Sequence, residues 1–366
     1  MPTFIDTESA WQEALPALRK SSSLALDTET DSFFAYRPKI CLLQITVDGE
    51  DFILDPLAGF PLDGFGEILA DEKREVILHA AENDVIHMQH EFGWRIARLF
   101  DTQVSCFILG TPPYSLAGVL ETRFDVKLDK RMQRSDWSRR PLSEEQIEYA
   151  ANDTRYLIGL AGELKERAAE VGRIEEIETE CARIAGRSWT PDPFDPDGFR
   201  RMNGAKELDD TGLSILSALY LFRHELADRR NRAPYRIVAD SALVTIAKKR
   251  ATHRIDGTPE NFWRRYGRQV GDLVRKAKTQ RAPARPKRKA QNGAPLPPDV
   301  KVRYDALRKW RGTAAGERGV EPFVVARNDL LMDVAKCGPE NTEELAATME
   351  SFRFREYGEA MRAAMS

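Results

Sequence analysis

The stretch that begins at Arg223 returns in altered form 88 residues later. Aligning Arg223 with Arg311 puts Pro234 on Pro322, Tyr235 on Phe323 and Leu243 on Leu331. The same offset puts Ile246-Ala247-Lys248 on Val334-Ala335-Lys336. After a three-residue gap, Arg264-Arg265-Tyr266-Gly267 matches Arg355-Glu356-Tyr357-Gly358. One offset held over more than twenty positions is the mark of a duplicated unit rather than of two amphipathic segments alike by chance. Strand signals thin out beyond residue 171, so each copy is expected to be a small all-α unit, over 207–280 and 298–366. Residues 171–206 are expected to connect. The Pro-rich, basic stretch 281–297, nearly free of large apolar groups, is expected to be a linker.

Residues 1–170 follow a different rhythm. Leu24 to Glu29, Ile40 to Val47, Asp51 to Leu54 and Glu75 to His79 read as strands, and Asp48-Gly49 as a hairpin turn. Asn83 to Phe92 reads as a helix. Ser115 and Ser143 read as helix N-caps, the second with Gln146 in capping-box position. The helix that Ser143 starts is expected to run past Tyr156. Strands followed by helices make this an α/β domain.

The net charge of −3 conceals a division. Residues 1–170 hold 18 basic and 30 acidic side chains, and residues 171–366 hold 37 and 28. Residues 207–290 carry 20 basic against 9 acidic, whereas 291–366 carry 11 against 12. A cationic back half suits a polyanionic ligand, with the first repeat and its linker as the candidate grip. Two solvated surfaces that merely differ would look the same by charge alone. The four cysteines are scattered with no C-x-x-C, so buried thiols are expected rather than disulfides or a zinc site. No apolar run approaches the ~20 residues that a membrane helix needs. The N-terminus lacks a secretory pattern. A cytoplasmic monomer is the expectation. No Gly-rich phosphate loop is present, so no nucleotide cofactor is implied.

Three motifs in the first domain carry chemistry. Asp27-Thr28-Glu29 ends a strand, and side chains at i and i+2 leave a strand on one face. Asp84, in His79-Ala-Ala-Glu-Asn-Asp84, opens a helix. Tyr149 and Asp153, four apart, share a helix face. Four converging carboxylates repel one another unless divalent cations sit among them, and oxygen ligands favour Mg²⁺ or Mn²⁺. Two such ions can hold the attacking and leaving oxygens of a phosphodiester. A phenol with a pKa near ~10 is a poor base, so Tyr149 is assigned to orienting the attacking water. Taken singly, each motif also fits an ordinary solvated strand end or helix face.

Leu128 to Leu142, running on to Tyr149-Ala-Ala-Asn-Asp153-Thr-Arg-Tyr-Leu, resembles bacterial ribonuclease D. So do Cys41-Leu-Leu-Gln44-Ile45 and His79 to Asp84, and the repeats resemble HRDC domains. The resemblance covers nearly the whole chain. It implies a ribonuclease H-like α/β exonuclease domain of the DEDD superfamily, tyrosine subtype, followed by two HRDC-like domains. It further implies that Asp27, Glu29, Asp84 and Asp153 hold two divalent metals, and that Tyr149 positions the water. The expected activity is 3′→5′ trimming of RNA single-stranded ends, precursor tRNA included. A DNA exonuclease and a non-catalytic nucleic-acid adaptor remain the alternatives. Thr30 stands where many members have an aromatic or hydrophobic residue.

Substrate contacts are expected from Gln44, Phe33, Gln133, Ser135, Trp137, Arg139 and Arg140. The basic, partly aromatic stretch 133–140 offers phosphate clamps and a stacking surface. Against that, Trp137 also reads as core and the arginines as partners of nearby acids, with the substrate role preferred; for one of Phe33 and Phe34 core packing fits at least as well.

Overall fold

The computed structural model describes residues 1–128, 132–190, 193–284 and 296–366. Six strands form one sheet: β1 (Thr3–Ile5), β2 (Ser23–Thr30), β3 (Ile40–Val47), β4 (Glu50–Leu54), β5 (Glu75–Leu78) and β6 (Leu99–Asp101). Their order is β1-β4-β3-β2-β5-β6. β3 and β4 pair antiparallel, with Val47 opposite Glu50, whereas β5 runs parallel to β2 and β6. The turn between β3 and β4 uses Asp48 (φ 49°) and Gly49 (φ 84°), the pair of positive φ angles that a two-residue hairpin needs. β3 is buried along its whole length, as expected of a strand covered on both faces. β1 and β6, three residues each, are too short to announce themselves by period.

Around the sheet lie α1 (Glu8–Lys20), α2 (Phe65–Leu69), α3 (Glu82–Phe92), α4 (Thr102–Ile108), α5 (Leu116–Phe124), α6 (Glu144–Arg155), α7 (Leu157–Glu170) and α8 (Ile174–Ala185). The Ser143 capping box is formed in both directions, so two otherwise orphaned N–H groups are satisfied at the start of α6. Contrary to the expected single helix, the chain breaks at Tyr156 (φ −101°, ψ −8°), and α7 starts anew. The segment 171–206 is more than a connection. It contains α8, whose Ile177, Cys181 and Ile184 join the sheet core.

The first repeat comprises α9 (Asp210–Arg229), α10 (Pro234–Ile237), α11 (Asp240–Lys249) and α12 (Glu260–Ala277). The second comprises α13 (Pro298–Arg318), α14 (Pro322–Val325), α15 (Asn328–Cys337), α16 (Thr342–Thr348) and α17 (Ser351–Met365). The duplication extends to single hydrogen bonds. Arg223 donates to the Val238 carbonyl (2.9 Å) and Asp240 (2.6 Å). Arg311 donates to the Ala326 carbonyl (2.8 Å) and Asn328 (2.9 Å), each partner shifted by the same 88 positions. Most of the basic linker, 285–295, lies outside the described residues, as do Asp129, Lys130 and Arg131.

By packing, the chain divides into two units. One holds residues 1–29, 40–189 and the second repeat. The other holds residues 30–39 and the first repeat. Inside the former, the second repeat is bound to α8. Arg318 grips Glu176 through both nitrogens (2.9 and 2.7 Å) and also donates to the Ile108 carbonyl (2.9 Å). Arg327 and Arg353 share Glu180 (2.7 and 3.0 Å). Arg355 pairs with Glu175, and Arg173 pairs with Glu356. Val324 is buried in the sheet core itself.

Candidate active site

β2 supplies the first two carboxylates. Its ladder with β5 ends at Ala25 opposite Ile77, so Asp27 and Glu29 lie beyond the carboxyl end of that pairing. Ligands of open α/β sheets gather at this end, because the strands stop there and the connecting turns leave a crevice.

Asp84 is placed by the turn from β5 into α3. Ala80 in that turn has φ 63°, a left-handed conformation that a Cβ disfavours. Asp101, fully buried on β6, holds it. Its carboxylate accepts from the backbone N–H of Ala80 (3.0 Å), Ala81 (2.8 Å), Gln103 (2.8 Å) and Val104 (3.2 Å). The sequence reading missed Asp101. An Asp followed by Thr at a strand end and then a helix is its one local signal, an N-cap. His79 beside it is structural: Nδ1 meets the Thr102 hydroxyl (2.9 Å) and Nε2 the Tyr114 carbonyl (3.1 Å), and burial lowers its pKa.

α6 carries Tyr149 and Asp153, 7% and 5% exposed. The small Ala150 and Ala151, both fully buried, pack in one cluster with Cys41 and Leu42 of β3. Thr46 on β3 meets Thr154 hydroxyl to hydroxyl (2.8 Å), and Arg155 pairs with Asp51 (2.7 Å). The helix is thus fastened to β3 and β4 at the turn that bears Asp153.

These elements put four acids within electrostatic reach of one another. Burial first, then Asp84, Asp153 and Glu29, raise the Asp27 pKa well above the usual carboxylate range. Burial, then Asp153 and Asp84, push Glu29 up to about 9. Burial raises Asp153 to about 8. Asp84 rises to about 6, also by burial, and is restrained by the hydroxyl of Thr28 donating to it. Burial, then Asp153, Glu29 and Asp27, raise the Tyr149 phenol, so it stays protonated at neutral pH. Among the described residues, no Lys or Arg offsets any of the four carboxylates.

An acid cluster without a counter-cation, made only of oxygen donors, fits hard divalent cations. Among the described residues, no three acids, histidines or cysteines already surround one point as ligands. Ligation would therefore involve side-chain rotation.

The expected substrate residues separate. Gln133 is exposed and hydrogen-bonds the Tyr149 phenol. Arg139 is 82% exposed and pairs only with Asp136 among the described residues. Ser135 is half-buried and donates to the Met132 sulfur.

Three others do different work from that expected. Trp137 is 1% exposed and packs with Tyr149, so it has no face for stacking a base. Gln44 is fully buried; strand alternation turns it, with Leu42 and Thr46, toward α6, and neither of its amide atoms has a partner among the described residues. Arg140 spends its donors on Asp55 (2.6 Å from one nitrogen) and on the carbonyls of Trp137 (2.7 Å) and Cys41 (3.0 Å), so it buckles the loop to the sheet. Phe33 belongs to the other unit. It is 48% exposed, and its carbonyl accepts from Tyr235 and Arg236.

Known proteins similar to this chain are nucleases. A 3′-5′ exonuclease family model matches residues 2–169, and an HRDC domain model matches 212–274 and 301–364. The chain is 28% identical to ribonuclease D of Pseudomonas paraeruginosa over 348 residues, covering 94% of this chain and 92% of that one. It is 37% identical over 232 residues to Protein RRP6-like 3 of Arabidopsis thaliana, covering 60% of this chain but 25% of the longer plant protein. The crystal structure of Escherichia coli RNase D superposes with a TM-score of 0.65 at 25% identity, covering all of this chain and 98% of that one.

Proposed function

Because the chain belongs to the ribonuclease D family of 3′→5′ exonucleases, we propose that it trims single-stranded 3′ ends of RNA, precursor tRNA among them, releasing nucleoside 5′-monophosphates. The observation that carries this is the carboxylate cluster: four acids whose pKa values burial raises, Asp27 and Glu29 further raised by the charges of the others, with no Lys or Arg set against them among the described residues. Asp27, Glu29, Asp84 and Asp153 would hold two divalent cations, Mg²⁺ or Mn²⁺. Such ions, when bound, make a coordinated water acidic and neutralise charge on the phosphodiester. The side chains of this protein do the rest. Tyr149, kept protonated by burial and its acidic neighbours, orients the attacking water rather than taking its proton. Gln133 steadies the phenol, and Thr28 steadies Asp84. That relatives are named as ribonucleases supports RNA, rather than DNA, as the substrate. A cytoplasmic monomer is part of the same proposal.

The test is digestion of a 3′-overhanging RNA and its DNA counterpart with Mg²⁺, Mn²⁺ or EDTA. Stepwise metal-dependent shortening of the RNA is expected, and Asp27→Asn abolishes it. Tyr149→Phe should lower kcat by about 10²-fold with little change in KM. Faster digestion of DNA would move the reading to a DNA exonuclease. Binding without cleavage under every metal would leave an adaptor.

A further inference from the structure

The two repeats share a fold but not a surface. On the first, Arg230, Arg232, Arg236, Arg264 and Arg265 line a groove of about 820 Å³ together with the exposed Tyr235. All five arginines are exposed, and among the described residues no carboxylate pairs with any of them. That sets them apart in a protein whose arginines mostly face acids.

The equivalent positions of the second repeat show what the face does when it is filled. Arg230 corresponds to Arg318, which grips Glu176 of α8. Arg264 corresponds to Arg355, which pairs with Glu175, and Arg265 corresponds to Glu356, which pairs with Arg173. Arg232 and Arg236 correspond to Val320 and Val324, both packed against the sheet core. The second repeat therefore uses this face to seat an acidic amphipathic helix: charges hold the carboxylates and valines hold the apolar side.

The first repeat keeps the arginines that match Arg318 and Arg355, has Arg265 in place of Glu356, and replaces both valines with arginine. A helix seated there would bury its apolar side against guanidinium groups, a costly arrangement. A chain that is anionic along its whole length and has no apolar side suits this face. Arginine forks match phosphate oxygens, and an exposed tyrosine ring offers a stacking surface for bases. We propose that this groove binds the phosphate backbone of single-stranded RNA, and that the matching face of the second repeat, filled by α8, takes no part in RNA binding. The inference rests on the ribonuclease reading and locates the substrate grip within it.

The experiment uses the full chain carrying Asp27→Asn, so that RNA survives. Fluorescence anisotropy measures binding of a labelled oligouridylate of about 20 nucleotides across a range of salt. Replacing Arg230, Arg232, Arg264 and Arg265 with Gln should raise Kd at least about tenfold and flatten the salt slope by about 2–3, at roughly 0.7 per lost phosphate contact. The four-Lys version should keep most of the slope. If the four-Gln protein loses its melting transition, Arg232→Gln and Arg265→Gln singly should each flatten the slope by about 0.7. A parent that binds RNA alongside a four-Gln protein with the same Kd and slope overturns the groove and leaves the ribonuclease reading intact. A parent that binds no RNA sinks that reading itself. Polyglutamate displacing RNA at equal or lower concentration would make an acidic protein segment the occupant and refute the proposal.

Discussion

Asp153 is a carboxylate in the wrong place unless something positive joins it. Burial pushes its pKa to about 8. The folded, metal-free chain therefore keeps a proton that the unfolded chain releases near pH ~4. Between those values the folded state binds more protons, so stability falls as pH rises from about 4 through about 8. In EDTA, thermal melting should drop between pH 5 and pH 8 by on the order of 2–6 °C more in the wild type than in Asp153→Asn. Mn²⁺ should recover the difference in the wild type alone. Equal drops in the two proteins would show that Asp153 is no harder to ionise folded than unfolded. The identity of this residue was legible as one of three ordered motifs. Its perturbation was not, because burial depends on segments distant in the chain, β3 among them, packing around α6.

At the scale of elements, the placement of α6 decides whether the tyrosine and the aspartate reach the site. Its start is written locally, in Ser143 and Gln146. Its attachment is not. Arg140 joins the preceding loop to Asp55, which is 3% exposed, so removing the guanidinium strands a buried carboxylate. Arg140→Ala should cost about 3–5 kcal/mol, read as a lower urea midpoint. Arg140→Lys should recover only part of it, since a single ammonium cannot replace a fork. A rise in KM for RNA with no change in urea midpoint would return Arg140 to the role of phosphate clamp. Sequence proximity made Arg139 and Arg140 look equivalent. One faces solvent and the other faces Asp55, a partner 85 residues away.

Across the whole molecule, two copies of one unit carry different partners on the same face. The near-neutral charge of the second repeat made its part in RNA binding doubtful from sequence. In the structure Arg318, Arg327, Arg353 and Arg355 of that repeat pair with acids of α8. Glu176, 2% exposed, is the centre of that contact. Glu176→Gln should leave Arg318 and Arg173 poorly compensated and loosen the second repeat. Limited proteolysis should then cut within 296–366 at least about tenfold faster, while trimming of a short RNA continues. Unchanged proteolysis would mean that the apolar contacts around Val324 suffice alone.

Sequence alone determined what depends on near neighbours. The i, i+2 carboxylates of a strand, the two-residue hairpin, the capping box and the 88-residue duplication each need only a few residues to be read. So did the order of the acidic motifs. Tertiary structure decided what depends on distant partners. It buried Gln44 and Trp137 behind the site, turned Arg140 inward and Arg139 outward, made α8 a seat for the second repeat, and left five arginines of the groove on the first repeat without acids among the described residues. Burial and pairing are properties of where two segments meet, and no local pattern records the meeting.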